Sequence, residues 1–249
     1  SNSGVKIIIG PVFNESLINL NELDKITFLS LTNKNENFSK NIINAGINAT
    51  SQLNAIKKFV KLNKINKTIF LTPDVIFKNE IEKAIYDSRI KILENYVYST
   101  DPTILTKQIE KITRYKIRKQ NLEDEILRLE KSEQSNKERL IKELKKKDTL
   151  GNVDFDSVII SDFDESLKSV TTSLLYTDVS PKDKYFITLN QWFDKSLLKE
   201  TSSQPLYFPS ANKNNYDNFS SEYFQKYNQY PNQLSFLSYD LVGLIYYLI

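Results

Sequence analysis

The 249-residue chain contains no histidine, no cysteine and no methionine, and only five glycines. Without cysteine there are no disulfides, no thiolate nucleophile and no thiolate metal site. Without histidine the usual general base near neutral pH and the commonest zinc ligand are gone, which excludes serine–histidine and zinc hydrolases. None of the glycines falls in a G-x-G-x-x-G or P-loop pattern, so no phosphate-cradling turn is present. Carboxylate and lysine chemistry is all that remains for an enzyme, and the chain reads as a non-enzyme with no cofactor. The lack of an initiator methionine leads to the expectation that this is a segment of a longer or processed protein, with Ser1 and Asn2 expected as a cleavage scar. No apolar run reaches the roughly 18–20 residues that span a bilayer, and the closing run 241–249 reads as a buried helix. Basic and acidic residues nearly balance, 34 against 31 for a net charge of +3. That balance does not supply the basic stripe that nucleic acid requires.

What is present is an alternation of apolar runs with helical periods. Residues 5–9 (VKIII) form an uninterrupted β-branched run closed by Gly10 and Pro11, the pattern of a strand covered on both faces. Residues 14–20 predict a first helical turn, with Asn14 as its N-cap. Strands are predicted at 26–31, 68–71, 90–98, 156–160, 185–189 and 206–208. Helices are predicted at 52–62, 77–86, 165–175, 216–227 and 234–249. Strands alternating with helices predict an α/β fold with open parallel sheets, whose ligands bind outside the carboxyl ends of the strands. The loops to watch are therefore 10–16, 31–35 and 72–77.

Between 102 and 147 the pattern changes. Leu105, Ile109, Ile112, Leu122, Ile126 and Leu129 fall at helical spacing amid glutamate and lysine. This predicts one long charged helical arm or a helical hairpin with a break at 132–136. A solvated helix laced with i,i+4 ion pairs is the plainer interpretation, and an arm that pairs with a partner is the alternative.

Several segments, in order, resemble the type I periplasmic solute-binding proteins, which include leucine/isoleucine/valine-binding proteins. Residues 7–12 (IIIGPV), 26–33 (ITFLSLTN) and 43–55 carry the amino-terminal part of the likeness. Phe219, Tyr223, Phe224, Tyr227, Tyr230, Pro231, Tyr239 and Asp240 carry the carboxyl-terminal part. The charged helical segment and residues 189–193 (LNQWF) look most like the penicillin-binding-protein activator branch of that superfamily. The resemblance implies two Rossmann-like lobes. Residues 1–93 and 205–249 would form the first, incomplete at its amino-terminal β-α units, and residues 94–204 the second, with the arm 102–147. The missing units would leave an open sheet edge through which the chain, like the arm, can form homo-oligomers.

The resemblance also implies a function. A small polar metabolite, such as an amino acid or amide, would be held between the lobes and delivered to membrane transporter subunits in the periplasm. The alternative is a protein-interaction module that regulates a peptidoglycan synthase. In amino-acid-binding members, first-lobe hydroxyls and backbone N–H groups hold the ligand carboxylate while a second-lobe carboxylate holds the ammonium, because a buried zwitterion needs both charges paired. The matching positions are Asn14, Glu15 and Ser16, then Leu31, Thr32 and Asn33, with Thr32 the strongest pick. Phe77 stands where the family often carries a Tyr-Gly pair, so it can stack but offers no hydroxyl. On the second lobe Asp162, followed by Asp164 and Glu165, and Asn190 with Trp192 lie in loops after predicted strands. Plainer roles compete at each position: a local turn bond for Thr32, a helix N-cap for the acidic group and a core position for Trp192.

Overall fold

The computed structural model describes residues 4–34, 39–189 and 203–248. The chain divides into two compact units, Ser1–Ala55 with Pro209–Ile249, and Ile56–Phe208.

The first unit holds a three-stranded parallel sheet of β1 (Ile7–Ile9), β2 (Thr27–Ser30) and β3 (Ile42–Asn44), in that order. Ile8 pairs with Phe28, and Phe28 with Ile42. Leu17, Ile26, Phe28 and Ile42 form its small core. The expectation that the first strand is covered on both faces is not met. Ile7 and Ile8, which point to opposite faces of β1, are each 37% exposed, so neither face is fully covered. The sequence pattern misses β3 altogether. The first half of α1 (Ala49–Leu62) belongs to this unit, as do α7 (Lys213–Tyr227) and α8 (Gln233–Leu248). Asn212 caps α7 through its side-chain oxygen, which accepts the Asn215 N–H. Phe219 of α7 packs on Phe236 and Tyr239 of α8, with ring centroids 5.5 and 4.8 Å apart. The carboxyl-terminal aromatics therefore hold two helices together. The expected burial of the last helix is not seen. Phe236 is buried, but Val242, Leu244, Tyr246 and Tyr247 are half or more exposed, because the contacts between α7 and α8 use only the first turns of α8.

The second unit is built on a five-stranded, all-parallel sheet. Its strands are β4 (Thr68–Pro73), β5 (Asn95–Tyr98), β6 (Ser157–Ile160), β7 (Tyr185–Thr188) and β8 (Leu206–Tyr207), in the spatial order β5-β4-β6-β7-β8. Every residue of β4 and β6 is buried, as a continuous apolar run in a parallel sheet demands. Leu71, Val158, Ile160 and Phe186 face α3 (Pro102–Ile112) and α6 (Asp164–Tyr176) through Leu105, Ile109, Leu167, Val170 and Leu174. Phe70, Ile159 and Ile187 alternate with them along the strands and are equally buried on the opposite face. Each such side chain contributes roughly 1.5–3 kcal/mol by leaving water. α2 (Lys78–Ser88) connects β4 to β5.

β4 is an interior strand of the second unit's sheet, paired over four residues with both β5 and β6. The later division between the two units falls between Phe208 and Pro209.

The charged segment is three helices, α3, α4 (Tyr115–Glu130) and α5 (Lys137–Leu144). The expected break at 132–136 is present, and α4 and α5 pack on each other as a hairpin. A second break falls at Arg114, which takes the left-handed conformation. α3 starts cleanly. Asp101 accepts N–H bonds from Thr103 and Ile104, and Pro102 fills a position that needs no donor. Arg118 fastens α4 to the body of the unit. Its buried guanidinium donates to the Thr113 and Thr177 carbonyls and to Thr149 Oγ1 at 3.0 Å, and Thr149 in turn donates to Asp178 at 2.5 Å. Burial pulls the Arg118 pKa down and the nearby Asp178 opposes that shift.

Candidate functional site

The spatial order β5-β4-β6 creates a topological switch point. The chain leaves β4 to form β5 on one side and returns to form β6 on the other, so the connections diverge above the carboxyl ends of β4 and β6. Open parallel sheets bind ligands at such a point.

The side chains gathered there begin with Tyr98, the last residue of β5, and Asp162, just beyond β6. The Tyr98 hydroxyl donates to Asp162 Oδ2 at 2.5 Å, and both residues are buried, 1% and 5% exposed. Two strand spacings, about 9.6 Å, separate β5 from β6. Only a side chain as long as tyrosine bridges that gap above the end of β4. Asp162 Oδ1 accepts the Phe163 N–H at 2.9 Å, and the Asp162 carbonyl accepts the Thr188 hydroxyl at 3.2 Å, which ties in the end of β7. Ser161 donates to the Leu71 carbonyl, and the Asp74 N–H donates to the Tyr98 carbonyl. Four strand ends are thus bonded into one polar layer.

Burial pushes the Asp162 carboxyl above the ordinary aspartate range, against the pull of the Tyr98 hydroxyl and the Phe163 N–H. Burial, then the neighbouring Asp162 charge, pushes the Tyr98 phenol well above its usual value. Tyr98 therefore remains a protonated donor at physiological pH. Beside this pair the rings of Phe77 and Phe163 stack with centroids 5.9 Å apart. Phe77 is half-buried, while Phe163 is 43% exposed. At the rim, Lys78 forms an ion pair with Asp74 at 3.0 Å.

The expected acidic group after β6 does not converge. Asp162 turns inward, while Asp164 and Glu165 are exposed in the first turn of α6, where Glu165 pairs with Lys168 at 2.6 Å. Phe163, rather than an acidic residue, occupies the N-cap position, with no side-chain cap bond. Among the described residues no group of three or more potential metal ligands is clustered. Phe77, expected on the first lobe, and Asp162, expected on the second, lie at the same strand ends, and Asn190 and Trp192 lie outside the described residues.

In the first unit, Asn14, Glu15 and Ser16 lie in a 3-10 turn after β1 whose cap position is Phe13 rather than Asn14. Glu15 and Ser16 are exposed and Asn14 is half-buried. Leu31 and Thr32 are buried after β2, and Asn33 is exposed. Thr32 Oγ1 accepts the Lys34 N–H at 3.2 Å, and its own N–H donates to Ser30 Oγ. Ser30 in turn donates to the Pro11 carbonyl at 3.1 Å. Thr32 therefore makes the local turn bond of the plainer interpretation. Gly46 is required beside it, because a Cβ there would stand 2.0 Å from the Thr32 carbonyl oxygen.

Sequence reasoning named Asp162 and Phe77 and did not name Tyr98, Ser161, Phe163 or Thr188, which lie beside them at the strand ends. The usable signal was that each ends a strand or immediately follows one. Which strand ends are neighbours depends on the sheet order.

No family model matches the chain, and neither does any curated protein sequence. Solved structures do. An ABC transporter substrate-binding protein from Desulfitobacterium hafniense superposes with a TM-score of 0.57 at 12% identity, covering 97% of this chain and 63% of that one. A branched-chain amino acid ABC transporter periplasmic ligand-binding protein from Burkholderia xenovorans LB400 gives 0.60 at 10% identity, covering 96% of this chain and 58% of its own. A solute-binding protein of an ABC transporter from Rhodopseudomonas palustris BisB5, in complex with 3,4-dihydroxybenzoic acid, gives 0.52 at 12% identity, covering 98% and 62%. The chain spans about three fifths of the length of these structures.

Proposed function

We propose that this chain, which has the fold of the type I periplasmic binding proteins, is the ligand-binding part of an extracytoplasmic solute receptor serving an ABC transporter. It performs no chemistry on its ligand. The observation that carries the reading is the Tyr98–Asp162 pair beside the Phe77–Phe163 rings at the switch point of the second unit. A buried carboxylate that accepts the Tyr98 hydroxyl and the Phe163 N–H suits an ammonium or amide N–H of a small polar ligand, because it supplies charge without needing a metal. The half-exposed rings suit an apolar or aromatic portion of the same ligand. The ligand class is therefore an amino acid, an amide or a small aromatic acid. The reading places the protein in the periplasm; among the described residues no helix is long and apolar enough to cross a membrane.

Isothermal calorimetry of the full chain against amino acids, their amides and hydroxybenzoates tests this. Micromolar binding of one class is expected, lost in Asp162→Asn. A flat response across the panel would end the proposal.

One observation favours a second reading, a protein-interaction module acting on a peptidoglycan synthase. The polar groups of the strand ends already bond one another. Capture of a synthase by the full chain, but not by a variant with exposed charged residues of α4 and α5 substituted, would select it.

A further inference from the structure

The helices α3 to α5 carry a charge that the whole-chain balance conceals. Residues 102–147 contain 14 basic and 8 acidic residues, a net +6, whereas the full chain is +3, so the remainder is −3. Along α4 and α5 the two signs alternate, and pairs such as Arg128 with Glu125 at 2.6 Å satisfy each other. A cleft of about 590 Å³ beside Arg118 is likewise mixed, with Lys146, Lys147 and Lys184 set against Asp148, Asp178 and Asp183. Neither surface selects a partner of one sign.

The corner between α3 and α4 differs. A concavity of about 510 Å³ is lined by Lys107, Lys111, Arg114 and Lys116, with Glu110 the one acid and Ile117 the one apolar residue. Glu110 reaches Lys116 only at 4.0 Å. Lys107 and Lys111 lie one turn apart on α3, and Ile104 precedes them on the same face. Ile104 is 49% exposed and Ile117 is 60% exposed, so two large apolar side chains flank the four cations. Cations around a hollow roomy enough to admit a headgroup phosphate, with apolar residues at its rim, are the composition of a surface that lies on anionic lipid. An acidic protein partner would match the charge but would leave the two isoleucines unexplained.

We propose that the α3–α4 corner docks on an anionic phospholipid surface. A headgroup phosphate sits among Lys107, Lys111, Arg114 and Lys116, and Ile104 and Ile117 rest against the acyl boundary. The contact is weak and salt-sensitive, and it does not depend on the solute-receptor reading.

The test is co-sedimentation of the full chain with vesicles of phosphatidylglycerol and phosphatidylcholine, or of phosphatidylcholine alone, between 50 and 300 mM NaCl, over which the Debye length falls from about 14 Å to about 6 Å. Retention is expected only on the phosphatidylglycerol vesicles, falling steeply with salt. K107Q/K111Q/K116Q should lose about 100-fold in partition, since each basic residue near such a surface counts for roughly fivefold. I104S/I117S should bind several-fold more weakly with its salt dependence unchanged. K142Q/K145Q on α5 should behave like the parent. All these side chains are exposed, so unchanged far-UV circular dichroism is expected, and the salt series on the parent stands even if one variant folds poorly. Equal retention on both vesicle types, parental binding by the triple lysine variant, or displacement to poly-glutamate with the vesicles left bare would each overturn the proposal.

Discussion

Replacing Arg118 with methionine examines whether the helical segment is fastened to the second unit or merely leans on it. The guanidinium is buried and makes three hydrogen bonds, to the Thr113 carbonyl, the Thr177 carbonyl and Thr149 Oγ1. These join the α3–α4 turn, the segment after α5 and the end of α6. Charged hydrogen bonds contribute about 1.5–3 kcal/mol each. Methionine forfeits all three and leaves two carbonyls short of a partner. Against this, the desolvation cost of a buried cation, several kcal/mol, is recovered. Methionine also keeps most of the stem's packing. The balance is a net loss of about 3 kcal/mol. Arg118→Lys, with a compact ammonium that cannot fork to three acceptors, should recover less than half of it. The assay is urea unfolding combined with amide exchange at Leu150, whose N–H donates to the Arg118 carbonyl. The Leu150 amide should exchange about 100-fold faster in R118M, while amides of β4 and β6 change less. A variant within about 0.5 kcal/mol of the parent, with Leu150 still protected, would show that hydrophobic contacts at Leu122 and Leu129 alone hold the segment.

Three further outcomes are expected. Tyr98→Phe removes the hydroxyl that Asp162 accepts and leaves a buried carboxylate under-bonded. It should cost about 2–3 kcal/mol in chemical denaturation, and an unchanged midpoint would contradict the pairing. Asp162→Asn tests the raised Asp162 pKa through pH. Because the folded carboxyl binds its proton more tightly than the unfolded one, the parent should lose stability relative to D162N as pH rises from about 3.9 through the folded pKa, and the difference should level off above it. A difference that is flat with pH, or of opposite slope, would refute the assignment. Gly46→Ala drives a Cβ to within 2.0 Å of the Thr32 carbonyl oxygen, a clash only backbone movement relieves. It should destabilise the first unit by about 3 kcal/mol and speed exchange at the Lys34 and Ala45 amides, with β6 amides unaffected. Unaltered exchange at both would mean the loop yields freely.

The central strands were legible because their chemistry is one-sided. Residues 68–71, 156–160 and 185–189 are runs that no half-exposed strand needs, and β4, β6 and β7 are correspondingly buried. The same pattern misled at 7–9, since three isoleucines look alike whether the faces of a strand are fully covered or not. β3 escaped notice because Ile42 and Ile43 stand alone among asparagines, and its pairing with β2 rather than its composition makes it a strand. The turn at Arg114 carries no glycine to announce it. Its left-handed backbone is imposed by the packing of α3 against α6 and of α4 through Arg118.

The site was half readable for a related reason. Asp162 follows an apolar run, and an acid at a strand end is a local feature visible in one dimension. Its partner Tyr98 is 64 residues away, on a strand whose place in the sheet depends on β4 inserting between β5 and β6. Had β6 followed β5 directly, Tyr98 and Asp162 would lie one strand spacing apart and a serine or threonine would suffice. The longer gap, with β4 ending beneath it in Pro73, makes the phenol's length the selective property, and it lets the hydroxyl of an otherwise apolar ring reach a carboxylate shielded from water. On the proposed function, a ligand that displaces this hydroxyl would have to offer a donor as good from above the strand ends, beside the stacked Phe77 and Phe163 rings. The pair would then filter ligand chemistry: a compound with no N–H or O–H donor, however well it stacks, should leave Tyr98 on Asp162 and gain only the ring contact.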